Sequence, residues 1–381
     1  MPELESLTLC GCDDNDIWPQ LVCGQLPRLR KLTLDRALAP WKWAPSQLAP
    51  LVSLSILGLQ YGRWPSIDDF IFMLGSCTAL ETLTLHDAAP KLTWWNIGDE
   101  PRRLAILPSL RELELRGSIV DITTLITHLA PRMLRLITLN YCHADLGDAL
   151  HAEEAVKQAL RLLSRFSLME MERLVLRLER HDRGPVAFIT GCGHQQTPPC
   201  LVIHIDVNEI WPQSTSTVEG EEFESLLLHS LEGIPPLAPR RLDIEYIVPP
   251  QRMGVLSSRQ WLRVFHCFPG ITHLTIAGAC AYVLLSELSI SPSSSHRPLC
   301  PELKHLTFRA PSLDSASARA LYRAVASRRV RNESLQTLTL NFRWPRTDHE
   351  THSLEQEIQT LRGLVEAENF HCSLQDTLQG L

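Results

Sequence analysis

Residues 335–342 read LQTLTLNF. Near the start of the chain residues 4–10 read LESLTLC, and the phrase returns as LRKLTLD at 29–35 and LETLTLH at 80–86. Written as LxxLxL, with Ile, Val, Met or Phe allowed for Leu, clear copies begin at Leu4, Leu29, Leu54, Leu80, Leu110, Leu134, Met171, Ile271, Leu303 and Leu335. Two degraded copies begin at Cys200 (CLVIHI) and Pro239 (PRRLDI). Successive copies lie 24 to 39 residues apart. A recurring period in this range marks stacked repeats.

The phrase dictates its own geometry. Side chains alternate along an extended segment, so Leu7 and Leu9 point to one face while Ser6 and Thr8 point to the other. One such strand is too short to hold itself. A parallel stack is stable if the intervening residues return the chain outside the sheet, and those residues read as helices. Ser66-Ile67-Asp68-Asp69 supplies an N-cap and acids in a first turn, with Gly75 as the stop. In residues 152–163, Val156, Ala159, Leu160 and Leu163 share a helical face. Asp314 is placed to cap a helix over 315–328, with Leu321, Ala324 and Val325 inward and Arg328 and Arg329 at its C-terminal end. Each large aliphatic side chain buried contributes about 1.5–3 kcal/mol, so only a stack of repeats offsets the ordering entropy.

These residues resemble a leucine-rich-repeat protein of the ribonuclease-inhibitor-like and cysteine-containing classes. The ninth position of the motif holds Cys12, Ala37, Gly62, Ala88, Ser118 and Cys142, where extracellular relatives usually carry Asn. Within that family the chain is similar to the repeat region of F-box proteins, and the F-box itself is absent. The expected fold is therefore an α/β leucine-rich-repeat solenoid of about twelve repeats, with a curved parallel sheet on the concave face and helices on the convex face. Residues 1–350 form the solenoid and 351–381 a C-terminal helical cap, in which Leu354, Ile358, Leu361 and Val365 make one apolar stripe. Segments 179–199, 212–222 and 289–301 read as loops or insertions. They leave the register open between about 171 and 250.

The remaining composition excludes several classes. The chain of 381 residues is 44% hydrophobic and 21% charged, which is ordinary globular usage. A net charge of −7 argues against general nucleic-acid binding. The N-terminus has no basic n-region of a signal peptide, and no apolar run reaches the length of a membrane span. Eleven cysteines without paired spacing read as reduced thiols, placing the chain in the cytoplasm or nucleus. Phosphate-loop, nucleophile-elbow, metalloprotease and kinase motifs are lacking, so the chain reads as non-enzymatic and needs no cofactor. Cys192, His194, Cys200 and His204 lie close together, but their spacing matches no structural-zinc pattern. Trp41, Trp43, Trp94 and Trp95 fall in loops and read as rings folded over the core edge.

What remains is the exposed side of the strands. One column of the repeat runs Thr8, Thr33, Gly58, Thr84, Glu114, Thr138, Val175, His204, Asp243, Thr275, Thr307 and Thr339. The Thr content suits a half-exposed pleated surface. The middle of the face is charged and mixed in sign, which suits selective protein recognition. Its candidate binding residues are Arg116, Asn140, Arg173, Arg177, His204, Asp206, Asp243, Glu245, His273, His305 and Arg309. The expectation is a monomeric protein-interaction module with its partner on the concave face. By resemblance, that means substrate recognition of the F-box type, with an SCF-type ubiquitin-ligase adaptor as partner only if an F-box lies upstream. The alternatives are a free-standing scaffold or inhibitor, or a fragment of a longer protein.

Overall fold

A computed structural model describes residues 3–11, 28–37, 45–58, 66–88, 103–141, 157, 160–161, 171–181, 184–193, 199–206, 227–234, 239–247, 258–278, 284–285, 288, 299–310, 315–330, 335–342, 348–365 and 370–374. They fall into two compact units. The first comprises Met1–Glu170 with Pro198–Pro236, and the second Met171–Thr197 with Leu237–Leu381.

The first unit is a parallel stack of β1 (Ser6–Cys10), β2 (Lys31–Asp35), β3 (Ser53–Leu57), β4 (Thr82–His86), β6 (Glu112–Gly117), β8 (Leu136–Tyr141) and β11 (Leu201–Asp206). A pair of short parallel strands, β5 (Ala105–Leu107) and β7 (Leu129–Pro131), lies apart from that stack. Equivalent residues of successive phrases face one another: Leu7, Leu32, Leu54, Leu83, Leu113 and Ile137 pair in series. These side chains and the next inward set, Leu34, Ile56, Leu85, Leu115 and Leu139, are almost wholly buried from the second rung onward. From β2 to β8 the main-stack ladder extends one residue beyond the strands, because two consecutive N–H groups of each rung donate to one carbonyl of the rung before. Arg30 and Lys31 donate to Glu5 O at 2.8 and 3.0 Å, and Glu81 and Thr82 to Val52 O at 2.8 and 3.1 Å.

The first four rungs of the first unit are each left through a residue in the left-handed region. Gly11 (φ 61°), Arg36 (φ 51°), Gly58 (φ 60°) and Asp87 (φ 47°) follow their strands directly. Each donates its N–H to a carbonyl at the end of the next strand: Asp35, Leu57 and His86, the last residues of theirs, and Arg116, the last but one of β6, at 2.7–2.9 Å. Ala37 and Ala88 then turn inward and are buried, as a small ninth position requires. This device corrects the reading of the third copy. Both LVSLSI at 51–56 and LSILGL at 54–59 fit the phrase. The strand uses the former, with Leu51 and Leu54 buried, because Gly58 is spent on the turn rather than in a strand interior. Ser55 therefore replaces Gly58 in the exposed column, opposite Thr33 and Thr84.

The second unit stacks β9 (Arg173–His181), β12 (Arg241–Ile247), β13 (His273–Gly278), β14 (His305–Ala310), β15 (Thr337–Phe342) and β16 (Phe370–Leu374) in parallel. β10 (Gly184–Cys192) joins β9 as an antiparallel hairpin, from His181 opposite Gly184 to Arg173 opposite Cys192. Most of the stretch expected to be a loop is thus a strand, which carries no leucine phrase but alternates, with Ala187 and Ile189 buried on one face. The segment expected as a terminal cap holds most of a helix, Asp348–Leu364, followed by one further parallel strand, β16.

Of the three return helices read from the sequence, two lie among the described residues; Val156, Ala159 and Leu163 of the third, and the capping Asp314, lie outside them. Ser66 Oγ accepts the Asp69 N–H at 3.1 Å and caps Ile67–Ser76, whose Phe70, Ile71, Met73 and Leu74 are buried. Cys77, rather than Gly75, takes the C-cap. Ser118 repeats the device for Ile119–His128. In Ser315–Val330 the inward residues are Leu321, Ala324 and Val325 as expected. Arg328 stands in the last turn as expected; it is 1% exposed, and its guanidinium donates to the Leu299 and Cys300 carbonyls, closing that turn from within. Arg329 donates to Gly363 O at 2.8 Å and so ties this helix to Asp348–Leu364.

Candidate functional site

Strand register sorts the eleven sequence candidates into two groups, one in each unit. In the first unit Arg116, Asn140 and His204 are consecutive members of one exposed column, through β6, β8 and β11. His204 was expected in the Thr column. It stands one position over, opposite Asn140, because Leu201, Ile203 and Ile205 pair with Ile137, Leu139 and Tyr141. A slip of two residues keeps every side chain on its face, so the hydrophobic pattern alone does not detect it. Asp206 ends β11. His86 belongs to the same column, opposite Arg116, and its Nε2 lies 2.9 Å from Glu114 Oε1 in the neighbouring column.

The second unit brings the other seven together. Its exposed face has three columns. The first runs Arg173, Arg241, His273, His305 and Thr337. The central column runs Val175, Asp243, Thr275, Thr307, Thr339 and His371. The third runs Arg177, Glu245, Ala277, Arg309 and Asn341. Arg241 escaped the sequence reading, although a signal existed. It holds in PRRLDI the place that Arg173 holds in MERLVL, immediately before the strand's first inward leucine.

Asp243 organises this face. Its carboxylate is 2% exposed and accepts Arg173 Nε at 2.5 Å through Oδ2 and Arg241 Nε at 3.1 Å through Oδ1. One buried anion is thus clamped between two cations, the arrangement that makes burial of a charge tolerable. The arginines remain 41% and 42% exposed. Arg177 pairs with Glu179 on its own strand. Next in the first column the His273 and His305 rings stack with centroids 4.1 Å apart and planes 20° from parallel. His305 Nδ1 lies 2.6 Å from Thr337 Oγ1. Both imidazoles are held below their usual pKa. For His273 the causes are burial first, then His305 and Arg241, opposed by Glu172 and Asp243. For His305 they are burial and then Lys304.

The residues of this face hold charge in fixed places and do little else that is recognisable as chemistry. Among the described residues no three His, Cys, Asp or Glu gather to hold a metal ion. His194 of the Cys/His cluster, and Trp41, Trp43, Trp94 and Trp95, lie outside the described residues. No described helix is long and apolar enough to cross a membrane. Burial pushes the Cys77 and Cys300 thiols up to about 12, which makes them inert core residues.

Short parallel strands repeat in series, joined through capped helices, with three leucine-type side chains of each phrase facing inward. The chain folds as a leucine-rich-repeat protein. No family model matches the sequence, and no curated protein matches it. Among solved structures it is similar to the leucine-rich repeat-containing protein LegL7 from Legionella pneumophila, at 12% identity. That alignment covers 96% of this chain and 99% of the other, with a TM-score of 0.35. The assignment of this leucine-rich-repeat chain rests on its own strand register.

Proposed function

We propose that the chain is a non-catalytic protein-recognition module whose partner lies across the exposed strand face of the second unit. One observation supports this above the others. Neighbouring rungs carry Arg173, Arg241, His273 and His305 in a single column, fixed by Asp243 and by ring stacking. A solvated surface with no binding role has no need of a buried carboxylate to hold two arginines in register. Preorganised charge lowers the entropy lost on association and sets partner choice. The test is a pull-down with the purified chain and with a Thr307→Arg/Thr339→Arg variant. These two threonines face each other in the central column and tolerate longer side chains without disturbing the core. Partners retained by the parent chain and lost from an equally heat-stable variant support the reading. An unchanged set of partners sinks it.

The finer reading is substrate recognition of the F-box leucine-rich-repeat type, in the cytoplasm or nucleus. It is supported by the repeat class and by the scattered cysteines of the sequence. Co-purification of an SCF-type adaptor and cullin with the chain tests it. Recovery of face-dependent partners without either favours a free-standing scaffold or inhibitor.

A further inference from the structure

We infer that the column Arg173–Arg241–His273–His305 is a docking track for an extended acidic segment of a protein partner. The inference rests on the recognition reading above and adds the chemistry of what is recognised.

The geometry matches an extended chain. Parallel strands lie about 4.8 Å apart, so the three steps from Arg173 to His305 span about 14 Å. Same-face side chains of an extended peptide recur every second residue, about 6.8 Å, so carboxylates at i, i+2 and i+4 cover the same 14 Å. The charges match as well. The acid nearest the arginines, Asp243, is buried and occupied by both Nε atoms. It therefore steers the two forks without offering a competing negative surface. Lys304 and Arg240, each one residue before its strand, are exposed beside the track. Glu172, next to Arg173, and Glu245, in the third column, are the acids an incoming carboxylate must avoid. Glu172 also acts on His273, so His305 is the least opposed position of the track.

The stacked histidines give the track a signature that a plain basic patch lacks. His273 faces His305, Arg241, Glu172 and Asp243, and His305 faces His273, Lys304 and Thr337. Charging one ring is opposed by the other ring and by Arg241 and Lys304. A carboxylate seated against the pair offsets that opposition, so docking draws in a proton. By linkage, affinity must then rise as the pH falls.

The experiment is fluorescence anisotropy on the full chain. The probe is a labelled nine-residue peptide of alternating Glu and Ser, with Gln/Ser and Lys/Ser peptides as controls. The Glu/Ser peptide is expected to bind at 50 mM salt, at least tenfold more weakly at 300 mM, and at least threefold more tightly at pH 6.0 than at pH 7.5. The His273→Gln/His305→Gln variant is expected to lose the pH response. The Arg173→Gln/Arg241→Gln/Asp243→Asn variant removes all three charges together, so no ion is left buried alone. It is expected to lose at least tenfold in affinity at an unchanged thermal midpoint. Equal binding of the Gln/Ser peptide, or indifference to both variants, overturns the track. Tighter binding of a thymidine oligonucleotide than of the Glu/Ser peptide overturns the assignment to a protein segment. If the Glu/Ser peptide fails to bind at pH 6.0 and 50 mM salt while the Thr307→Arg/Thr339→Arg variant still loses its partners, the acidic track falls and the recognition module stands. If that variant also keeps all its partners, both fall.

Discussion

Asp243 sits where most other rungs carry Thr or Ser, and it is the exposed-face position with most at stake. Its carboxylate is buried and, among the described residues, is satisfied by Arg173 and Arg241. Asp243→Ala leaves two arginines one strand apart with nothing between them, at a cost of about 2 kcal/mol, the usual worth of hydrogen bonds to a charged group. Urea unfolding measures it, and an unchanged midpoint would show that the clamp is ornamental. Tyr141 presents the opposite case. Its hydroxyl is buried and, among the described residues, has no hydrogen-bond partner; burial also drives its pKa upward. Tyr141→Phe is expected to be neutral or stabilising by up to about 1 kcal/mol, since it removes an unpaid desolvation penalty. A loss of more than that reveals a partner for the hydroxyl. The stacked histidines set a pH dependence. Their folded pKa values lie below the ordinary 6.5, so the unfolded chain binds more protons in the window between. Their contribution is complete above about 6.5 and is lost as the pH falls through that window. Thermal midpoints taken from pH 7.5 to 5.0 should decline less steeply in the His273→Gln/His305→Gln variant than in the parent. A steeper decline contradicts the sign.

At the scale of the element, the left-handed residue after each of β1 to β4 decides where that rung ends. Gly58 adopts φ 60° at no steric cost, and a Cβ there meets only Arg36 Cγ, at 3.5 Å. Gly58→Ala is therefore a test of backbone strain alone and should cost about 1 kcal/mol. Arg36 holds the equivalent conformation with a side chain that is 79% exposed. Arg36→Gly should gain about 0.5 kcal/mol, the relief of left-handed strain less the added freedom of glycine when unfolded. Paired thermal unfolding checks both signs. The same element explains what was legible in the sequence. The phrases at Leu29, Leu80, Leu110, Leu303 and Leu335 fell into register unaided, because three buried leucine-type side chains at fixed spacing admit one alignment. The third copy was misaligned because two overlapping phrases fit, and only a turn conformation chooses between them. β11 slid by two because pleat period is two. β10 and β16 passed unseen, since an antiparallel hairpin and the short FHCSL strand carry no leucine phrase.

For the whole molecule, the repeat class and its inward leucines are legible in the sequence, because burial is written in periodicity. The candidate site was only partly readable. Periodicity names which residues are exposed, but not which columns they share. That needed the strand pairing that set Arg241 beside Arg173 and His273 beside His305. One-to-one pairing has a last consequence. Ser53 of one strand faces Thr82 of the next, 29 residues on. The gene can therefore be edited in whole paragraphs. Excising codons 53–81 splices Val52 to Thr82 and hands β2 the neighbour that β3 used to have. The shortened chain should still unfold cooperatively, with its circular dichroism diminished by one helix. Excising 53–80 instead inverts which side of β4 faces the interior, and that product should be recovered only as aggregate.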